Sequence, residues 1–203
     1  MKEVEKKARV PQRMYKAVEY ELAMIYGVPE HIVAQDIYYA MPPSANGDKN
    51  RFRIRKNYSG EPLQLQSIVV NSKRKQVVFD NLENNVEHEF ELRNEAAIDN
   101  FIDMMSDFGA KLWYTKSKEK YVYVTVEGVE YHIELCTVQI RGVCEHFLEI
   151  EGVYPEGLSE TEEKAKIAAI DGFITAVFKR FGIENAVEPR PYRELMGVQY
   201  PKD

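Results

Sequence analysis

Charged and apolar side chains alternate with a period of two in almost every extended stretch of this chain. In residues 1–10, Glu3, Glu5, Lys7 and Arg9 interleave with Val4, Lys6, Ala8 and Val10. Side chains at i, i+2 and i+4 of a strand share one face, so two carboxylates, an ammonium and a guanidinium line one side. The pattern recurs at 51–58, with Arg51, Arg53 and Arg55 opposite Phe52 and Ile54, and in VEHEFEL, with Glu87, Glu89 and Glu91 on one face. Further strands are expected at 33–39, at 63–70, over QVVFD, and at 111–118, 120–126, 129–138 and 147–152. NSKRK (71–75) reads as a connection, with Lys73-Arg74-Lys75 as a solvated turn, and 42–50 as a loop. Glu127-Gly128 marks a hairpin turn.

Helical spacing appears in three places. Met14, Ala17, Val18, Leu22 and Ile25 follow Pro11 and precede Gly27. Ile98, Phe101, Ile102 and Met105 predict a helix over 95–108 that ends at Gly109. Ser159 with Glu162 forms a capping-box pattern and opens a helix to about Phe181. The proline-broken VEPRPYRELMG is expected to pack back on the body.

Collected together, the polar faces hold Glu3, Glu5, Lys7, Arg9, Arg53, Arg55, Glu89, Glu91, Lys116, Lys118, Glu130, Glu134, Glu149 and Glu151. Two architectures accommodate them. An open sheet would put helices on its apolar face and water on the charged one. A closed antiparallel sheet would turn the charges inward and let helices cover the outside. Charges taken from water need partners. A ligand that meets clustered carboxylates and clustered cations together is a metal-bound polyphosphate.

Composition narrows the reading. The 203 residues suit one domain, and the net charge of -6 argues against a broad nucleic-acid-binding surface. No apolar run reaches the ~18 residues of a membrane span, and no signal peptide opens the chain. Cys136 and Cys144 read as reduced core thiols of a cytosolic protein. His88, His132 and His146 read as structural or solvent-facing, with His132 sharing parity with Glu130 and Glu134. Tyr38, Tyr39, Tyr121 and Tyr123 read as packing and cross-strand pairs rather than a base-stacking platform.

Several motifs, in order, resemble the CYTH superfamily, the triphosphate tunnel metalloenzymes. EVEKK (3–7) fits its ExExK opening, and DIYY (36–39) followed by FRIRKNYSG (52–60) resembles its DxY and arginine strands. EHEFEL resembles its alternating-glutamate strand, and LWYTKSKEKYVY (112–123) its paired-cation strand. HIEL (132–135) and HFLEIEG (146–152) resemble its acidic strands. EPRPYRELMG (188–197) is similar to the ending of class IV adenylyl cyclases.

The resemblance implies an α+β fold: one domain over 1–203, a closed antiparallel β-barrel or tunnel with a charged interior and a few helices outside. It implies Glu3, Glu5, Glu134 and Glu149 as ligands of Mg²⁺ or Mn²⁺. Lys7, Arg53, Arg55, Lys116, Lys118 and Arg190 or Arg193 would grip a triphosphate, with Glu5, Lys7 and Glu149 carrying the catalysis. The implied partner is a nucleoside or other triphosphate, with neither a membrane nor a nucleic acid engaged, in a cytoplasmic protein compatible with a homodimer. The implied activities are class IV adenylyl cyclase, or hydrolysis of thiamine triphosphate, inorganic triphosphate or a nucleotide. A non-catalytic triphosphate-binding protein is the third expectation. The chain departs from the family where a lysine, often in YKGP, is usual: the strand here reads PLQLQSIV, with Ser67 near that position and Lys73 and Lys75 beyond it.

Overall fold

The computed structural model describes residues 2–43, 50–79 and 82–201, with the side chains at 73–79 and 82–87 outside that description. Its strands are β1 (Lys2–Val10), β2 (Glu30–Ala40), β3 (Arg51–Ser59), β4 (Gln64–Phe79), β5 (Leu82–Glu91), β6 (Lys111–Val126), β7 (Glu130–Ile140) and β8 (Val143–Tyr154). The helices are α1 (Tyr15–Tyr26), α2 (Glu95–Asp107), α3 (Glu160–Arg180) and the short α4 (Tyr192–Leu195). The fold is α+β, with one eight-stranded antiparallel sheet in the order β1-β5-β4-β3-β2-β6-β7-β8. β1 pairs with β5 over Lys2–Glu5 and with β8 over Lys2–Val10.

By contact density the chain divides into two compact units. One comprises Met1–His31, Arg74–Val86 and Glu119–Arg190; the other comprises Ile32–Lys73, Glu87–Lys118 and Pro191–Asp203.

In the first unit, the apolar faces of β1, β7 and β8 lie under α1 and α3. Val4, Ala8, Leu22, Ile133, Leu135, Leu148, Ile150, Ile170 and Ile174 are all fully buried in one cluster. Each buried Val, Leu or Ile among them stabilises the fold by about 1.5–3 kcal/mol. Lys2 pairs with Glu163 at 2.6 Å and Lys6 with Asp171, which tie β1 to α3 through ion pairs at the margin of that core. α3 begins at the expected cap: Ser159 accepts from the Glu162 amide, and Glu162 accepts in return from the Ser159 amide. β7 and β8 form a hairpin through Arg141-Gly142, both with positive φ (52° and 84°), as a two-residue turn between right-twisted strands requires.

In the second unit, α2 covers β2, β3 and β4. Tyr39, Phe52, Ile54, Ile68, Val70 and Ile98 form its core, with Phe101, Ile102 and Met105 packed at the margin. Asn94 caps α2 by accepting from the Ala97 amide at 3.0 Å.

Several expectations are corrected. NSKRK is no connection, because β4 runs unbroken through it; residues 64–79 contain neither Gly nor Pro to end a strand. The side chains of Lys73, Arg74, Lys75 and Glu87 lie outside the description, as do residues 44–49 of the expected loop. The strands expected at 111–118 and 120–126 are one, β6, since the alternation passes through Glu119 without a turn residue. Glu89 and Glu91 are exposed, as is Phe90 on the other face, so this part of β5 buries neither side. Cys136 is buried, but Cys144, beside the hairpin turn, is exposed.

Gly152 shows how closely α3 lies on β8. A Cβ there would stand 2.7 Å from Cγ2 of Ile170, a core side chain with no room to withdraw. Gly152→Ala is expected to lower stability by about 1–3 kcal/mol, the usual effect of overpacking, measured by denaturant unfolding. A stability equal to the parent's would show that α3 sits less tightly than this.

Candidate functional site

The acidic site is built by three strands of the first unit. β8 pairs with β1 and with β7, and the two registers align into cross-strand rows. One row is Glu5–Glu151–His132 and the next is Lys7–Glu149–Glu134. Beyond them come Arg9–Phe147–Cys136. Glu5, His132, Glu134, Glu149, Ile150 and Glu151 line one pocket. The hairpin explains how Glu134 and Glu149 meet despite their separation in sequence, since both strands extend to Arg141-Gly142 and set the two residues directly opposite.

The four predicted metal ligands do not form one quartet. Glu3 and Glu5 group with Glu151, and Glu134 and Glu149 group with Cys136; in each set one ligand atom per residue lies within 4.8 Å of the others. Carboxylate oxygens suit hard divalent cations, whereas the Cys136 thiol is a soft donor and does not. Like charges facing each other across a sheet repel, and two basic groups temper the effect. Lys120 donates to Glu134, and His132 lies 2.7 Å from Glu130 and 3.6 Å from Glu151. Lys120 escaped the sequence reading although it continues the parity of Lys116 and Lys118; all three are nearly buried. His146 is structural: its ring packs at a tilt against Tyr15, it is bonded to Thr137 and Gln12, and burial lowers its pKa.

The cationic site belongs to the second unit and centres on Asp36. Arg55 grips its carboxylate with two bonds of 2.6 and 3.0 Å, and Lys116 stands 3.1 Å and Arg53 3.8 Å away. Burial would push the Asp36 carboxyl up, but Arg55, Lys116 and Arg53 together hold it well below the usual range. The same balance lowers the Tyr38 phenol: burial opposes ionisation, and Lys116 and Arg53 outweigh it. Tyr38 stacks on Tyr114 at 4.3 Å, and Lys116 lies 4.5 Å from the centre of the Tyr192 ring. The Nε of Arg53 is a buried donor without a hydrogen-bond partner in the protein, which costs free energy that an anion would recover.

The remaining predicted cations lie elsewhere. Lys7 donates to the Arg190 carbonyl at 2.5 Å, and Arg190 bonds to Glu188, all in the first unit. Arg193 pairs with Glu194 at 2.9 Å and lies over Trp113.

The carboxylate rows and the cation cluster are both set on strands of an α+β fold with an eight-stranded antiparallel sheet. The CYTH domain family matches residues 1–176, and the chain belongs to that family. Among solved structures it is similar to a protein of Pyrococcus horikoshii OT3 (TM-score 0.69, 20% identity, 96% of this chain and 97% of that one). It is also similar to a candidate adenylyl cyclase from Hippeastrum described as having a dominant triphosphatase activity (0.61, 14%, 98% and 98%). A chain of the Schizosaccharomyces pombe Mediator head module is similar as well (0.65, 13%, 89% and 96%). No curated protein matches. At these identities the likeness shows the fold. Among the described residues no helix is long and apolar enough to cross a membrane.

Asp36→Asn removes the charge that three cations face. Stability is expected to fall by about 3–5 kcal/mol, as when one partner of a buried ion pair is lost, read from denaturant unfolding. Because the folded carboxyl titrates below its unfolded value of 3.8, the parent's advantage is complete above pH 3.8 and declines as pH falls further. An advantage that persisted unchanged in stronger acid would contradict the assignment.

Proposed function

We propose that this protein is a divalent-metal-dependent enzyme acting on triphosphates, with Mg²⁺ or Mn²⁺ as the ion. The observation that carries the proposal is the pair of rows Glu5–Glu151 and Glu134–Glu149, opposed carboxylates whose repulsion a bound cation would relieve. Of the expected ligands, Glu3 and Glu5 with Glu151 would hold an ion in one set, and Glu134 and Glu149 in the other. When bound, the ion neutralises charge on the phosphates and polarises the phosphorus under attack. Arg53, Arg55, Lys116 and Lys118 receive phosphate oxygens; the partnerless Nε of Arg53 supports this. Lys7 and Arg190 add two further cations, and Arg193 belongs to the same expected set. The protein's task is to align the chain, neutralise the leaving phosphates and exclude competing nucleophiles. The closed-tunnel architecture belongs to the same proposal, supported by β1, which hydrogen-bonds along both edges.

The first reading of the reaction is that of a class IV adenylyl cyclase. The ribose 3'-oxygen attacks the α-phosphorus, its proton leaves, and the bond to pyrophosphate breaks. The ending EPRPYRELMG supports it. The second reading is a triphosphatase, in which water attacks the terminal phosphorus. It is favoured by Tyr38 and Tyr114 of the cationic unit, whose rings stack on one another rather than offering those faces to a base.

ATP incubated with Mn²⁺ or Mg²⁺ separates these readings by product: cyclic AMP and pyrophosphate for the first, ADP and phosphate for the second. Tripolyphosphate and thiamine triphosphate run alongside reveal a hydrolase indifferent to ATP. Binding without turnover of any of them would reduce the protein to a triphosphate-binding module. Glu5→Ala and Glu149→Ala are each expected to weaken metal affinity about 100-fold, at the upper end of what even supporting residues of metal sites cost, with the circular dichroism spectrum unchanged. Wild-type metal dependence in either variant would refute the ligand assignment. Lys118→Ala is expected to raise the triphosphate Kd about tenfold or more through loss of a charge-assisted hydrogen bond; an unaltered Kd would remove Lys118 from the site.

A further inference from the structure

Glu188 opens the EPRPYRELMG segment but is not among the residues expected to touch metal or phosphate, and its carboxylate accepts five hydrogen bonds. Its Oε1 accepts from the amide of Arg190 at 3.2 Å and from Arg190 Nε at 2.8 Å. Its Oε2 accepts from Arg190 Nη2 at 2.7 Å, Arg9 Nη2 at 2.9 Å and Arg9 Nε at 3.0 Å. Those five bonds fill the acceptor capacity of a carboxylate. The side chain is 6% exposed, and the bonds from Arg190 hold its pKa down to about 2. The Glu188 amide in turn donates to the Lys7 carbonyl at 2.8 Å, next to a single β-bridge between Ala8 and Val187.

The local backbone needs this residue. Pro189 and Pro191 flank Arg190 and carry no N–H. The amides left to anchor the segment are those of Glu188, spent on Lys7, and of Arg190, spent on the Glu188 carboxylate. The carboxylate therefore fixes the Arg190 main chain and side chain together. It fixes Lys7 as well, because the Lys7 ammonium donates to the Arg190 carbonyl at 2.5 Å. Arg9 is held between Glu188 and Glu145, with its guanidinium 5.2 Å from the centre of the Phe147 ring. The Arg190 side chain remains 58% exposed.

From this geometry we infer that Glu188 is a positioning residue for phosphate: it holds Arg190 and Lys7 in one rigid cationic group that takes oxygens of the triphosphate. The inference rests on the proposed function, and it assigns the role to a residue that touches the substrate only through its neighbours. Rigid placement matters here because a lysine and an arginine each lose about 2 kcal/mol of rotamer freedom when ordered, and a pre-ordered pair loses none of it on binding.

The test is a double-mutant cycle on the full-length chain, with magnesium tripolyphosphate as the probe and calorimetry as the readout. Glu188→Gln keeps the shape but sets an amide NH₂ against two guanidiniums, and Arg190→Ala removes an exposed side chain without opening the core. Each is expected to raise Kd about tenfold. The double variant is expected to bind no more than about twofold more weakly than either single one, because Glu188 acts through Arg190. Glu188→Asp, which keeps the charge, is expected to recover part of the loss. With any substrate the protein turns over, KM is expected to rise more than kcat falls. Wild-type affinity in Glu188→Gln, or losses that multiply in the double variant, would overturn the role of Glu188 while leaving the triphosphate reading intact. If Glu188→Gln does not fold, an unchanged Kd in both Glu188→Asp and Arg190→Ala overturns it equally. A parent protein with no affinity for tripolyphosphate overturns the proposed function, and this inference with it.

Discussion

The register of β8 between β1 and β7 is the constraint on which the acidic site depends. Leu148 and Ile150 face the helices and are fully buried; Glu149 and Glu151, one residue on, must then face the other way. A slip of a single residue would carry both glutamates into the core and both aliphatic chains out of it. Burial of those two side chains alone contributes about 3–6 kcal/mol, whereas opposed like charges across strands act on the scale of about 1 kcal/mol or less. The apolar face therefore dictates the pairing, and Glu5/Glu151 and Glu134/Glu149 are opposed as a consequence.

The second unit meets the opposite problem with the same device. There the helix-covered face of β2 and β3 leaves Asp36, Arg53 and Arg55 on the other side, with Lys116 of β6 joining them. One carboxylate among three cations stabilises the cluster without neutralising it. In the acidic rows the minority charges are Lys120 and, when protonated, His132. Each cluster thus holds internal counter-charges and keeps an excess of the other sign, and the proposed roles, a cation on the carboxylate rows and phosphate on the cationic cluster, rest on that excess.

Much of this was legible in the alternation itself. Period two identified which residues of β1, β3, β7 and β8 share a face, and the caps and glycine stops of α1, α2 and α3 marked their ends. Alternation does not say which residue of one strand meets which residue of another. The division of the expected ligand quartet into Glu3–Glu5–Glu151 and Glu134–Cys136–Glu149 follows from register, and register here depends on the Arg141-Gly142 turn, which the composition of 139–146 does not advertise. Asp36 was visible only as part of DIYY, because its partners come from 17 to 80 positions away in sequence. Glu188 is the extreme case: it meets Arg9 across 179 residues, and no local pattern encodes such a pairing. The charge run of NSKRK resembles a turn but does not end β4, since charge without Gly, Pro or Asn-Gly does not stop a strand.

Burial of the cations bears on which anion the proposed phosphate site would prefer. Lys116 is 7% exposed and Lys118 3% exposed, so each has given up most of its hydration. Asp36 offsets that for Lys116. A singly charged anion entering such a cluster would lose its own hydration for one or two contacts. A triphosphate brings several charges on one covalent frame, so the ordering entropy is lost once while the charge-assisted bonds accumulate. On the proposed reading, the buried lysines of the second unit and the partnerless Arg53 Nε would favour a chain of phosphates over an isolated one, by the same desolvation that makes the cluster expensive without it.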